Sequence, residues 1–162
     1  MILIGLGANL PSLAGAPQAT LRASLDALGM RGVAAGPVSH FYRTPAWPDP
    51  ADPPFVNAAA RLTTQLDPRA LLDLLREIET IFGREHEVKN APRTLDLDLL
   101  DFDGRVEQGP PQLPHPRLAT RAFVLVPMRD IAPLWRHPVS GKGVAELIEE
   151  LGPDGALAKR IN

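Results

Sequence analysis

The stretch Ala91-Pro92-Arg93-Thr94-Leu95-Asp96-Leu97-Asp98-Leu99-Leu100 alternates leucine and aspartate with period two. Read as a strand, it places Asp96 and Asp98 on one face and turns Leu95, Leu97 and Leu99 the other way, into a core. Two carboxylates whose Cα atoms are then about 6.6 Å apart repel each other. A hard divalent cation offsets that repulsion, because Mg²⁺ takes one or two carboxylates together with phosphate oxygens. A pair of ions about 3.5 to 4 Å apart fits between the two side chains. For an isolated Asp-x-Asp the plainer reading is a solvated polar face. Here Arg84 and Arg93 precede the pair and Arg117 and Arg121 follow it, and planar guanidinium groups suit phosphate oxygens. Metal together with arginines points to a polyphosphate.

Several elements must position these residues. Ile2-Leu3-Ile4-Gly5-Leu6-Gly7 is an apolar run ending in glycines, as a buried strand would. Gly5-Leu6-Gly7-Ala8-Asn9-Leu10 begins like a dinucleotide fingerprint. It lacks the third glycine, and the next helical pattern starts only near Pro17, so a Rossmann site is rejected. Leu21, Leu25 and Leu28 give one apolar stripe to a helix over 18–28, ended by Gly29. Val33 to Arg43 reads as a second strand. Thr44 to Pro54 holds five prolines and must be a stiff surface loop. Phe55 to Leu66 resumes strand character, with Phe55, Asn57 and Ala59 on one face and Val56, Ala58 and Ala60 on the other. Asp67 caps a strong helix with Pro68 in its first turn and Leu71, Leu74, Leu75, Ile78 and Phe82 on its buried side, and Gly83 stops it. After the Asp-x-Asp strand come a turn at Asp103-Gly104, an apolar run from Ala122 to Val126, and a short helix over Val144 to Leu151. The order β, α, β, β, α, β with further elements at the end predicts an α+β domain of ferredoxin-like type, an antiparallel sheet with two helices on one face.

The bulk composition agrees. With 162 residues and 44% hydrophobic content, the chain supports one core, and residues 1–162 read as a single domain. The absence of cysteine excludes disulfides, thiolate catalysis and thiolate zinc sites. No basic leader precedes the first strand, and no apolar run approaches the ~20 residues that span a bilayer, so a cytoplasmic protein is expected. A net charge of −2 and a pI near 6.1 argue against a nucleic-acid partner. The chain reads as a monomer.

Further strings fix a resemblance. Phe41-Tyr42-Arg43-Thr44-Pro45, Asn57-Ala58, Ile78-Glu79, Gly83-Arg84, Pro92 to Asp98, Pro114-His115-Pro116 and Arg121 to Pro127 occur in this order. Together they resemble the 6-hydroxymethyl-7,8-dihydropterin pyrophosphokinases, over nearly the whole chain. The resemblance implies transfer of pyrophosphate from ATP to the hydroxymethyl oxygen of the pterin, giving AMP and the pterin diphosphate for folate synthesis, with two Mg²⁺ ions held by Asp96 and Asp98. It implies phosphate contacts from Arg84, Arg93 and Arg121, with Arg84 and Arg93 acting in catalysis beside the two aspartates. Nucleotide contacts fall to His115, Leu99 and Glu79. For the pterin it implies Asn57 and the Thr44-Pro45 segment on the ring edge and Phe55 and Phe123 on its faces. The sequence departs from the family pattern in the loop from Arg84 to Arg93, where a Trp and a second Arg are replaced by His86, Lys89 and Asn90. Pro116 stands where a Tyr is common, and Arg76 where a glutamine is frequent. The loop over 84–92 is expected to close over the nucleotide, with Trp47 as an aromatic lid from the proline-rich loop.

Two rival functions use parts of the same pattern. A two-metal phosphohydrolase or nuclease also needs paired carboxylates, and a ferredoxin-like binding module would leave Asp96 and Asp98 merely solvated.

Overall fold

A computed structural model describes residues 1–85 and 91–161. The first strand, β1 (Ile2–Ala8), is followed by α1 (Pro17–Gly29), β2 (Ala34–Val38), β3 (Phe41–Thr44), β4 (Phe55–Thr63), α2 (Pro68–Ile81) and β5 (Asp96–Phe102). A small hairpin of β6 (Glu107–Gln108) and β7 (Gln112–Leu113) leads to α3 (Ala122–Ile131), α4 (Val144–Glu150) and a last strand β8 (Lys159–Ile161). The main sheet runs β5-β1-β4-β3-β8, with β2 also on β4, and its pairings are antiparallel. This is the expected α+β class with the ferredoxin-like strand order.

The stretch read as one strand from Val33 to Arg43 is two. Pro37 has no N–H for the ladder, and the β2 register slips between Ala35 and Val38. Ser39 then closes the gap: its N–H donates to Ala59 O (2.9 Å), and its hydroxyl accepts from Ala59 N (2.9 Å) in place of a backbone carbonyl.

Alternation decides what each face of the sheet carries. Ile2, Ile4, Leu6 and Ala8 of β1, Val56, Ala58, Ala60 and Leu62 of β4, and Leu97 and Leu99 of β5 bury against Leu21 and Leu28 of α1 and Leu71, Leu75 and Ile78 of α2. On the opposite face Leu3, Ala59 and Leu100 pack under Val124, Leu125 and Met128 of α3 and Val144 and Leu147 of α4. The C-terminal elements therefore form a second helical layer. That layer covers only part of its face. Continuing along the same strands, Leu3 gives way to Gly5 and Gly7, Ala59 to Asn57 and Phe55, and Leu100 to Asp98 and Asp96, where the sheet lies open.

The apolar run from Ala122 to Val126 lies in α3. The run is buried on several sides because it fits between the sheet and α4. A register shift between β1 and β5 near Leu3 helps seat this layer: Leu100 packs into it, and the next residue, Asp101, accepts a hydrogen bond from Trp135 Nε1 at 2.5 Å.

Candidate active site

Asp96 and Asp98 point out of the open face, as the period-two pattern requires, while Leu95, Leu97 and Leu99 are buried in the core behind them. Across the ladder Asp98 stands beside Gly5 and Asp96 beside Gly7, and on the far side of Gly7 stands Asn57. A Cβ at position 7 would lie 3.0 Å from Asn57 Oδ1 and crowd it, so glycine here leaves that oxygen its place. The two glycines thus form a floor without side chains. A cleft of about 590 Å³ lies over it, lined by Thr44, Pro45, Trp47, Phe55, Asn57 and Phe123 at one end and by Arg93, Arg117 and Arg121 around the aspartates.

The apolar end is built from two strands and a helix start. Asn57 is buried, and its Nδ2 donates to Thr44 Oγ1 at 2.8 Å across the β3–β4 pair, which leaves Oδ1 toward Gly7 and the cleft. Phe55 lies on β4 on the same face, with the Arg93 guanidinium 5.6 Å from its ring centroid. Phe123 lies in the first turn of α3, with Arg121 5.3 Å from its ring. Trp47 stands at the lip, 71% exposed.

At the charged end arginines offset the repulsion between the carboxylates. Arg84 Nη1 pairs with Asp96 Oδ1, and Arg93 Nη1 donates to Asp96 Oδ2 at 3.0 Å. Asp98 faces Arg121 Nη1 at 3.7 Å and His115 Nε2 at 3.8 Å. Burial, and after it the neighbouring Asp96 carboxylate, pushes Asp98 up to about 6 against the pull of Arg121, Arg84 and Arg93. His115 Nδ1 accepts from Arg117 N at 3.2 Å, which puts the ring proton on Nε2, toward Asp98. Burial, with Arg121 adding to it, pushes this imidazole down to about 4, so it is neutral at pH 7.

Helix α2 delivers Arg84 to this place. Asp67 Oδ1 caps its start by accepting from Ala70 N at 2.8 Å. At its end Gly83 takes φ +83°, Gly83 N donates to Thr80 O (3.0 Å) and Arg84 N to Glu79 O (3.0 Å), the paired bonds of a Schellman turn. The chain reverses so that Arg84 lies against Glu79, whose Oε1 accepts from Arg84 Nη1 (2.6 Å) and from Leu97 N (2.7 Å). Burial pushes the Glu79 carboxyl up to about 7, against that backbone bond and Arg84.

Four residues expected to touch the nucleotide or its phosphates do not line the cleft. Leu99 is 3% exposed among the core residues, because period two sends it to the face opposite Asp98. Glu79 lies beneath the aspartates, committed to Leu97 N and Arg84. Arg84 and His115 meet the carboxylates without lining the cleft. His86, Lys89 and Asn90, and with them most of the expected lid over 84–92, lie outside the described residues. Gly5 and Gly7 line the cleft although no motif assigned them a role, and glycines inside a buried strand are themselves a signal of close approach. Asp154 and Leu157, which also line the cleft from the C-terminal 3₁₀ turn, carry no sequence signal.

A profile of the family described as 7,8-dihydro-6-hydroxymethylpterin-pyrophosphokinase matches residues 3–133. The chain belongs to this family. It is 40% identical to a 2-amino-4-hydroxy-6-hydroxymethyldihydropteridine pyrophosphokinase of Synechocystis sp., over 92% of this chain and 75% of that protein. Proteins of the same description from Methylorubrum extorquens and Pseudomonas aeruginosa are 37% and 39% identical, the first over 94% of both chains and the second over 91% of this one and 89% of its own. The region matched by the pyrophosphokinase profile runs from β1 to the end of α3 and so includes the strands and the α3 start that face the cleft, while the 3₁₀ turn with Asp154 and Leu157 lies beyond it.

The donor set also bears on which metal such a site could take. Among the described residues no group of three or more His, Asp or Glu side chains is placed to cage an ion. Two adjacent carboxylates with open space above them fit Mg²⁺, which keeps waters and takes phosphate oxygens, better than a metal that needs a full protein cage. No helix among the described residues is long and apolar enough to cross a membrane.

Proposed function

We propose that this chain performs its family's pyrophosphokinase step in folate synthesis with 6-hydroxymethyl-7,8-dihydropterin in the apolar end of the cleft and the ATP phosphates at the arginine end. The hydroxymethyl oxygen attacks the β-phosphorus of ATP and gives up its proton. The Pα–O–Pβ bridge breaks, its oxygen leaves with AMP, and the pterin carries away the diphosphate. The observation that carries this reading is that a single cleft is lined by Asp96 and Asp98, by Phe55, Phe123 and Asn57, and by Arg93 and Arg121, which pair with the two carboxylates. A phosphohydrolase of simple phosphate esters has no use for the aromatic slot.

Within this reading Phe55 and Phe123 stack on the ring, while Asn57 Oδ1, with its amide nitrogen already held by Thr44, accepts from the ring edge. Thr44 and Pro45 border the same edge. Arg84, Arg93 and Arg121 move from the carboxylates to the phosphates, where bidentate contacts orient the transferred group. His115, neutral with its proton on Nε2, donates to the nucleotide. Asp96 and Asp98 hold two Mg²⁺ ions, whose bound charge neutralises that developing on the phosphates. Trp47 folds over the pterin. The chain acts as a single-domain monomer in the cytoplasm.

Replacing Asp96 or Asp98 by Asn is expected to lower kcat by about a thousandfold or more with the fold intact, since positioning and charge neutralisation supply most of phosphoryl-transfer catalysis. Mg²⁺ titrations of both variants check it, and near-normal turnover in either removes that carboxylate from the metal site.

A further inference from the structure

We propose that Asn9 is a positioning residue that fixes the phosphate-gripping arginine and the pterin-stacking ring relative to each other. The proposal rests on the functional reading above. Asn9 follows the last residue of β1, is 4% exposed, and lines no part of the cleft. Its side chain nevertheless joins both segments that border it. Oδ1 accepts from Arg93 N at 2.7 Å, and Nδ2 donates to Pro53 O at 3.0 Å. The backbone completes the grip, with Asn9 N and Leu10 N both donating to Arg93 O at 3.0 and 3.1 Å.

The chemistry of the two segments calls for this residue. Pro53 and Pro54 have no N–H, so the end of the proline-rich loop can be anchored through its carbonyls only. Arg93 sits where the chain enters the Asp-x-Asp strand, and its N–H needs an acceptor. A side chain at this point must therefore accept on one side and donate on the other, which the primary amide of Asn does and a carboxylate or an aliphatic group does not. The amide orientation is settled by the partners, a backbone donor facing Oδ1 and a backbone acceptor facing Nδ2.

What the clamp controls is two residues further on in one direction and on the same residue in the other. Phe55 begins β4 two residues after Pro53, and Arg93 extends its guanidinium over the Phe55 ring at 5.6 Å while donating to Asp96 at 3.0 Å. Asn9 thus sets the distance between a group on the phosphates and a group on the ring without touching either substrate.

Asn9→Asp separates the two halves: it keeps the acceptor for Arg93 N, loses the donor, and sets a carboxylate oxygen against Pro53 O. Calorimetry on this variant is expected to show pterin binding, in the presence of Mg²⁺ and a non-hydrolysable ATP analogue, weakened by about tenfold, with the analogue itself bound within about threefold of the unsubstituted protein. Asn9→Ala, which loses both bonds, is expected to weaken both ligands. Leu28→Ala, a core truncation in α1 away from the cleft, destabilises without splitting the two affinities and so serves as the reference for a purely structural effect. If Asn9→Asp does not fold, the unsubstituted protein gives a second test: the Arg93 amide and the Asn9 side-chain amide protons stay protected from exchange with and without both ligands. Equal effects on both ligands, no effect, or loss of that protection on binding overturns the positioning role. Absence of turnover in the unsubstituted protein overturns the functional reading and this proposal with it, whereas normal turnover with unchanged Asn9 variants overturns this proposal alone.

Discussion

Asn57 shows how a single polar side chain can be poised for recognition. One hydrogen of its amide nitrogen is committed to Thr44 Oγ1, and its oxygen lies over Gly7 as an acceptor offered to a ligand in the cleft. When the side chain is cut back, the acceptor is removed and the N–H of a bound pterin ring edge is left without its partner. Asn57→Ala is expected to weaken pterin binding by roughly 1 to 3 kcal/mol while ATP affinity stays nearly constant. Calorimetry with each ligand separately checks this, and the reverse pattern would move Asn57 out of the ring-edge role. The polar residue was legible in the sequence because it interrupts an apolar alternation. Its hydrogen-bond direction was not, because Thr44 is 13 residues away and becomes its neighbour only through the β3–β4 register.

At the scale of the element, α2 is the part that carries Arg84 to the aspartates. Its cap, its apolar stripe and its terminal glycine could all be read from the chain, and each is present as expected. The consequence of the glycine was hidden: Gly83 does more than end the helix, since the Schellman turn it permits directs Arg84 back to Glu79 and onto Asp96. Nothing lies within 4 Å of a Cβ built at position 83, so a substitution there meets only the backbone penalty of φ +83°. Gly83→Ala should cost about 1 kcal/mol of stability and raise the KM for ATP, and Gly83→Asn should cost less because Asn tolerates this conformation. Urea midpoints and initial rates on the two variants check the order. Equal, unperturbed values in both would detach Arg84 from the helix end.

For the whole molecule, the decisive feature is a sheet whose central strands are covered by α1 and α2 on one face and only in part on the other. The strands that carry Leu3, Ala59 and Leu100 under the C-terminal helices carry Gly5, Asn57 and Asp98 beyond them, so the cleft exists because α3 and α4 stop short. Alternation within each strand was readable. The partial cover was not, since the run from Ala122 to Val126 is apolar on more than one side and carries no period that assigns it to a face. This arrangement buries ionisable groups at the junction, and the effect on stability is clearest at Glu79. Its carboxyl, ordinarily near 4.5, is pushed up to about 7 in the fold. Between those values the folded protein holds a proton that the unfolded chain has released, so this group makes stability fall as pH rises from 4.5 to 7, by up to roughly 3 kcal/mol. Asp98, pushed up to about 6, acts in the same direction, and His115, pushed down to about 4, opposes it below 6.5. The difference in unfolding free energy between the unsubstituted protein and Glu79→Gln isolates the Glu79 part. It should change steadily over pH 4.5 to 7 in urea titrations, and a flat difference would mean that Glu79 ionises as readily folded as unfolded.

The central claim, that the two carboxylates serve pyrophosphoryl transfer to a pterin, is tested most directly by following the adenine nucleotide products formed from ATP and Mg²⁺ with and without 6-hydroxymethyl-7,8-dihydropterin. AMP should appear in step with the pterin diphosphate, only when the pterin is present, and not after chelation of the metal. Release of ADP or inorganic phosphate, or AMP formation that does not depend on the pterin, would contradict the account.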